Sequence, residues 1–237
     1  MTEIDSVADA TLARVRSQTI GDIPRRTARR VPDKVAIIDG DVALTFAEFD
    51  ALVDRVAAAL HANGLAPGDR VALLSRNSWQ YAVLAFATAR AAVVLVPVNF
   101  MLTGEEIAYI LGHCRADAFI AAAEFVATAA EAIEVAGTAP VRVSINQDGS
   151  DSHAGWLDFD DWLHNDHPVP EPLIGDDQLL RLMYTSGTES RPKGVMHSSR
   201  SLMWQYMSTI LAGSMTENDV EVHSMPLYHC AQLDNFL

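Results

Sequence analysis

The residue types that bind a polyphosphate are concentrated in one segment of the chain, residues 185–194. Its hydroxyl side chains can donate hydrogen bonds to phosphoryl oxygens or hold a hydrated Mg²⁺ ion, and they are Thr185, Ser186, Thr188 and Ser190. Gly187 and Gly194 allow the backbone to approach a ligand closely and to turn its amide groups toward an anion. Lys193 adds a positive charge on a flexible side chain. The segment is interpreted as a phosphate-binding loop, although its composition alone fits a Ser- and Gly-rich surface turn equally well.

A second kind of phosphate-binding loop, that of the P-loop NTPases and related kinases, is disfavoured. Its pattern ends in Gly-Lys followed directly by Ser or Thr, whose hydroxyl binds Mg²⁺. Here Lys193 is followed by Gly194, and no hydroxyl stands in the required place.

The order of the residues is more specific than their composition. Residues 184–188 read Tyr-Thr-Ser-Gly-Thr and residues 192–195 read Pro-Lys-Gly-Val. This string resembles the phosphate-binding signature of the adenylate-forming enzymes, which include acyl-CoA synthetases, luciferases and peptide-synthetase adenylation domains. Three further segments resemble blocks of the same superfamily in the same order, and they are residues 44–49, residues 68–72 with the elements that end at residues 97–99, and residues 225–229.

The resemblance implies a two-step reaction. A carboxylate attacks the α-phosphorus of MgATP, pyrophosphate leaves, and an acyl-adenylate forms; the thiol of coenzyme A then takes the acyl group. The implied co-substrates and cofactors are ATP, Mg²⁺ and coenzyme A, and the implied substrate is a fatty or other apolar carboxylic acid. An adenylation domain for an aryl or amino acid is the alternative within the superfamily.

The resemblance also assigns roles to individual residues. The positions that would hold the nucleotide phosphates are Thr185, Ser186, Gly187, Thr188, Glu189 and Lys193, and Thr185 would lie near Mg²⁺. Tyr228 and His229 would line the acyl pocket. The alternative for His229 is a core histidine with a satisfied hydrogen bond. The family's adenylation lysine has no counterpart, so no catalytic residue is assigned within this chain.

Two residues depart from the superfamily pattern, which usually has Thr-Gly where this chain has Glu189 and Ser190. A carboxylate at Glu189 would repel a triphosphate unless it turned toward solvent or paired with Arg191. The departure therefore lowers the expected affinity for ATP.

The relatives continue well past the Tyr-His segment, whereas this chain ends at Leu237. We therefore expect residues 1–237 to form an incomplete large N-terminal domain, with the small C-terminal domain absent, and to be inactive as a ligase alone. The face left uncovered is expected to favour self-association into a homo-oligomer. The rival interpretation is a non-catalytic half-protein that binds a nucleotide or a partner.

Alternating strand and helix patterns must position these residues, and they predict an α/β fold with mainly parallel sheets flanked by helices. Strands are predicted at 35–38, 42–44, 71–74, 93–96, 118–121, 141–145 and 179–184. Helices are predicted after the capping boxes that begin at Thr45 and Thr103, over 78–91 and 124–135, and from Ser198 or Ser199 toward Leu211. Residues 146–175 break this alternation and are interpreted as a surface crossing with one helical turn at 159–163.

The charge balance disfavours two classes of partner. The 17 basic and 31 acidic residues give a net charge of −14, which disfavours binding to nucleic acid or to an anionic membrane. The sequence shows no transmembrane segment, and two distant cysteines favour a reducing cytoplasm.

Two further kinds of site are disfavoured. A metal site is disfavoured in one loop, because the spacing of its His and Asp residues fits no tetrahedral pattern; these residues are His153, Asp158, Asp160, Asp161, His164 and His167. A strand at residues 229–230 would point His229 and Cys230 to opposite faces, which disfavours a Cys-His nucleophile.

Overall fold

A computed structural model of the chain describes residues 18–139, 141–146, 153–185 and 191–235. The strands are β1 (Val35–Asp39), β2 (Val42–Thr45), β3 (Arg70–Leu74), β4 (Val94–Pro97), β5 (Ala118–Ala122), β6 (Val141–Ile145), β7 (Leu157–Asp158), β8 (Leu179–Tyr184) and β9 (Gly194–Ser198). The α-helices are α1 (Ile23–Arg30), α2 (Phe46–Ala62), α3 (Trp79–Arg90), α4 (Gly104–Cys114), α5 (Val126–Ala136), α6 (Phe159–Leu163), α7 (Ser199–Gly213) and α8 (Cys230–Leu233). Two short 3₁₀ turns, Ile20–Asp22 and Ala123–Phe125, precede α1 and α5.

Within these residues the centre of the fold is a seven-stranded sheet in the order β7-β6-β5-β3-β4-β8-β9. Neighbouring strands from β7 to β8 are parallel, and β9 pairs antiparallel with β8. Strands β1 and β2 form a separate antiparallel hairpin. The predicted α/β fold with a mainly parallel sheet is confirmed.

The interior strands are mostly apolar because helices cover both faces of the sheet. Along β3, Val71 and Leu73 pack in the core under α2 and α3, whereas Ala72 and Leu74 pack in the core under α4 and α5. Residues that alternate along one strand therefore stabilise two separate cores.

The crossing region contains the predicted helical turn, α6, at the predicted residues. It also contains the two-residue strand β7, which the sequence did not indicate. Trp156, Phe159 and Trp162 are buried, so the described part of the crossing contributes apolar side chains to the cores.

Both predicted capping boxes are present. At the start of α4, the Thr103 amide donates to Glu106 Oε2 at 2.8 Å, and the Glu106 amide donates to Thr103 Oγ1 at 3.4 Å. The hydrogen bond from the Thr103 backbone, and then that from its side chain, hold the pKa of Glu106 below its ordinary value.

Replacing Thr103 with alanine is expected to lower the free energy of unfolding by about 1 kcal/mol, because an N-terminal amide of α4 loses its acceptor. Urea unfolding followed by circular dichroism measures the change. The Thr103→Ser variant keeps the hydroxyl and serves as the control. Equal stability of the alanine variant and the wild type would contradict a capping role.

No helix among the described residues is both long enough and apolar enough to cross a membrane.

Candidate functional site

The β8–β9 hairpin determines where the predicted phosphate loop begins and ends. Tyr184 and Gly194 are paired in the antiparallel register, and the Thr185 amide donates to the Lys193 carbonyl at 3.0 Å. We call this end of the hairpin, where residues 184–185 face residues 193–194, its neck. A side chain at Gly194 would place its Cβ about 3.0 Å from Leu182 Cδ1, so the close packing at the neck favours glycine. Of the predicted phosphate-binding residues, the hairpin thus brings together Thr185 and Lys193, both exposed to solvent.

The other predicted loop residues lie outside the described part of the chain, and they are Ser186, Gly187, Thr188 and Glu189, together with Ser190.

Helix α4 contacts both ends of the loop. The sequence did not predict these contacts. On the N-terminal side, His113 Nδ1 lies 2.7 Å from the Tyr184 hydroxyl. On the C-terminal side, the Tyr109 hydroxyl donates to the Pro192 carbonyl at 3.2 Å, and the Arg191 guanidinium lies 5.3 Å from the centre of the Tyr109 ring. The spacing of Tyr109 and His113 is a sequence signal, because residues four apart share one face of a helix.

Tyr228 and His229 occupy the turn that leads into α8. Tyr228 packs edge-on against the Phe100 ring, with centroids 5.1 Å apart and planes at 88°. His229 is exposed and caps α8, its Nδ1 accepting a hydrogen bond from the Ala231 amide at 3.2 Å. The core-histidine alternative for His229 is therefore wrong.

The predicted strand at residues 229–230 is also wrong, because Cys230 begins a helix that His229 caps. Cys230 Sγ lies 3.9 Å from His229 Nδ1, so the two side chains do not point to opposite faces. Since His229 Nδ1 already accepts from Ala231, the contact is not an arrangement that activates the thiol. Cys114, the other cysteine, is buried, and burial raises the pKa of its thiol to about 11.

The two parts of the candidate site share one edge of the sheet. Thr185 follows β8, Phe100 follows β4, and Asn77 follows β3. These strands are neighbours and parallel, so their carboxyl ends meet at the same edge. Ligands of open α/β sheets bind at this edge.

The chemistry of the described residues fits a polyphosphate better than a bare metal ion. Lys193 supplies a positive charge and Thr185 a hydroxyl, but Mg²⁺ is normally bound by carboxylates together with phosphate oxygens. No group of three or more His, Cys, Asp or Glu side chains with metal-binding geometry occurs in the part of the chain that the structure describes.

Comparison with known proteins places the chain in a family. A family model described as AMP-binding enzyme matches residues 24–237. The chain is 35% identical over 219 residues to a feruloyl-CoA synthase of Amycolatopsis, covering 92% of this chain and 41% of that enzyme. The chain thus spans about two fifths of the length of the curated relatives it matches.

Solved structures agree with this match. A Rhodopseudomonas palustris protein assigned as a long-chain fatty-acid–CoA ligase has a TM-score of 0.85 at 30% identity, covering 94% of this chain and 55% of that one. An anthranilate–CoA ligase in complex with anthranoyl-AMP has a TM-score of 0.74 at 26% identity, covering 84% of this chain and 38% of that one. The resemblance predicted from the sequence is confirmed, and the chain belongs to the AMP-binding enzyme family, whose members matched here include CoA ligases for varied carboxylic acids.

Proposed function

We propose that this chain supplies the phosphate-binding part of an enzyme that uses ATP to activate a carboxylic acid, first to an acyl-adenylate and then to an acyl-CoA. The observation that carries the proposal is the hairpin neck that joins Thr185 to Lys193 at the carboxyl edge of the sheet. A carboxylate and a triphosphate repel each other, so a site that joins them needs fixed positive charge and hydrogen-bond donors around the phosphates.

Each candidate residue has a role in this proposal. Lys193 would neutralise charge on the pyrophosphate as it leaves, and Thr185 would contact the phosphates and the Mg²⁺ ion that they carry. Ser186, Gly187 and Thr188 would add hydrogen-bond donors within the loop. Bound Mg²⁺ supplies further charge neutralisation.

The substrate we propose is a fatty or other apolar carboxylic acid, which Tyr228 and His229 would contact. Tyr228 offers an aromatic ring and His229 an exposed imidazole next to it. The feruloyl-CoA synthase relative, at 35% identity, supports an aryl acid as the second candidate.

We propose that the chain alone binds nucleotide without completing the reaction. It spans about two fifths of its curated relatives, and its two lysines are Lys34 and Lys193. By resemblance, Lys193 belongs to the phosphate loop and the family's adenylation lysine belongs to its small C-terminal domain, so we propose that neither lysine of this chain fills that role. We also propose a cytosolic location, which the two unpaired cysteines support.

Calorimetric titration with MgATP, followed by assays for acyl-CoA with laurate and with ferulate, tests these proposals. We expect saturable binding of MgATP and no acyl-CoA from the chain alone. Acyl-CoA formation would contradict the proposed inactivity. Absence of MgATP binding would contradict the phosphate-site proposal and favour a half-protein that binds a partner.

A further inference from the structure

The side chain of the half-buried Asn77 holds the segment that leads to Tyr228 and His229. Asn77 Nδ2 donates to the carbonyl of His223 at 3.1 Å and to that of Met225 at 2.8 Å. Asn77 Oδ1 accepts from the Leu227 amide at 2.7 Å. Both amide donors and the carbonyl oxygen of Asn77 are therefore used on residues 223–227, about 150 positions away in sequence.

These hydrogen bonds lie next to the proposed substrate-binding residues, Tyr228 and His229. Leu227, whose amide donates a hydrogen bond to Asn77 Oδ1, is buried and directly precedes Tyr228. Asn77 itself lies three residues after β3, a strand buried in the middle of the sheet, so the backbone of Asn77 is well anchored. By fixing the backbone of residues 223–227, Asn77 also fixes the positions of Tyr228 and His229, which follow directly.

Two further contacts define the same segment. The buried Gln232 side chain accepts from the Met225 amide at 3.1 Å and contacts His223 Nδ1, which ties the segment to α8. Phe100 packs edge-on against Tyr228, and the Arg76 guanidinium lies 4.9 Å from the centre of the Phe100 ring. Asn77 thus orients the backbone while Phe100 orients the ring.

We propose that Asn77 is a positioning residue for recognition of the carboxylic acid, acting through the backbone of residues 223–227 on Tyr228 and His229. The inference rests on the proposed function, in which that pair contacts an apolar carboxylic acid. Asn77 itself need not touch the acid.

The test is the Asn77→Asp variant, which keeps an acceptor oxygen but loses both donors and places a carboxylate against two carbonyls. The chain contains a matched control in Asn165. Its Nδ2 donates to the carbonyls of Arg55 at 2.9 Å and Trp162 at 2.6 Å, and its Oδ1 accepts from the His167 amide at 3.1 Å. Asn165→Asp therefore removes the same kinds of hydrogen bonds away from the candidate site.

Two readouts separate positioning from general stability. Hydrogen–deuterium exchange of peptides spanning residues 223–229 measures how firmly Asn77 holds this backbone. Titration with laurate and with ferulate in the presence of MgATP measures the affinity for the acid. In Asn77→Asp we expect exchange to rise and acid affinity to fall, each by about tenfold, because two hydrogen bonds to the segment are lost and a carboxylate is placed against two carbonyls. Asn165→Asp is expected to lower the melting temperature while leaving both readouts at wild-type values.

Unchanged exchange in Asn77→Asp, or an equal loss of acid affinity in both variants, would overturn the proposal. If Asn77→Asp does not fold, Asn77→Ser, which keeps one donor and an acceptor, is measured in the same way. Failure of the proposed function gives a different result: Tyr228→Ala and His229→Ala bind the acids as the wild type does, whatever the exchange rates of Asn77→Asp.

Discussion

Replacing Asp234 with alanine is expected to lower the free energy of unfolding by about 3–5 kcal/mol, because it leaves a buried charge without its partner. Arg181 on β8 is 1% exposed and Asp234 is 8% exposed, and their side chains form an ion pair. Within the described residues, Arg181 Nε has no hydrogen-bond partner, so the guanidinium already depends on Asp234. Denaturant unfolding followed by circular dichroism gives the value.

The double variant Arg181→Met with Asp234→Ala controls for lost packing. If the loss comes from an uncompensated charge, removing the charge should restore most of the stability, since an apolar side chain can replace a buried ion pair at little cost. A double variant as unstable as Asp234→Ala would show that packing, and not charge, is responsible.

Replacing Lys193 with alanine is expected to weaken MgATP binding by about 10- to 100-fold, the range for losing a hydrogen bond between charged groups. The chain offers an internal control because Lys34 is its other lysine. Lys34 donates to the Glu217 carbonyl. Among the residues that the structure describes, no hydrogen bond joins Lys34 to Thr185 or to residues 191–194. Lys34→Ala should therefore leave MgATP affinity unchanged.

Calorimetric titration of both variants measures the difference. Retained affinity in Lys193→Ala, or an equal loss in Lys34→Ala, would remove the phosphate-binding role from Lys193. A melting curve for each variant establishes that the protein titrated is folded.

Much of the fold could be predicted because its signals are local. Strands β3 to β6 and β8 are short apolar runs, and each was predicted to within one residue at either end. The capping boxes at Thr45 and Thr103 are encoded within four residues, and both form. The choice between Ser198 and Ser199 is resolved by the structure, in which Ser198 accepts from the Ser201 amide and caps α7.

Features that depend on distant partners could not be predicted. Strand β9 exists because it pairs with β8, and its own five residues carry no strong strand pattern. The apolar pattern around Arg181 predicts β8 but gives no sign that Asp234, 53 residues later, neutralises the charge.

The same limit applied to the candidate site. Thr185 and Lys193 are predicted as phosphate-binding residues because the order of their segment resembles a family signature. The four-residue spacing of Tyr109 and His113 predicts that they share one face of α4, but it does not show that this face lies beside the loop. Tyr228 and His229 are predicted by resemblance, whereas the role proposed for Asn77 depends on a contact between residues 150 positions apart.

Affinity labelling shows directly whether ATP phosphates bind beside Lys193. An acyl-phosphate derivative of ATP transfers its acyl group to the amine of a lysine near the bound phosphates, and mass spectrometry locates the product. We predict saturable labelling of Lys193 that MgATP and magnesium pyrophosphate block, with slow and unprotected labelling of Lys34, the only other lysine in the sequence. Equal labelling of the two lysines, or labelling of Lys193 that MgATP does not block, would contradict the account.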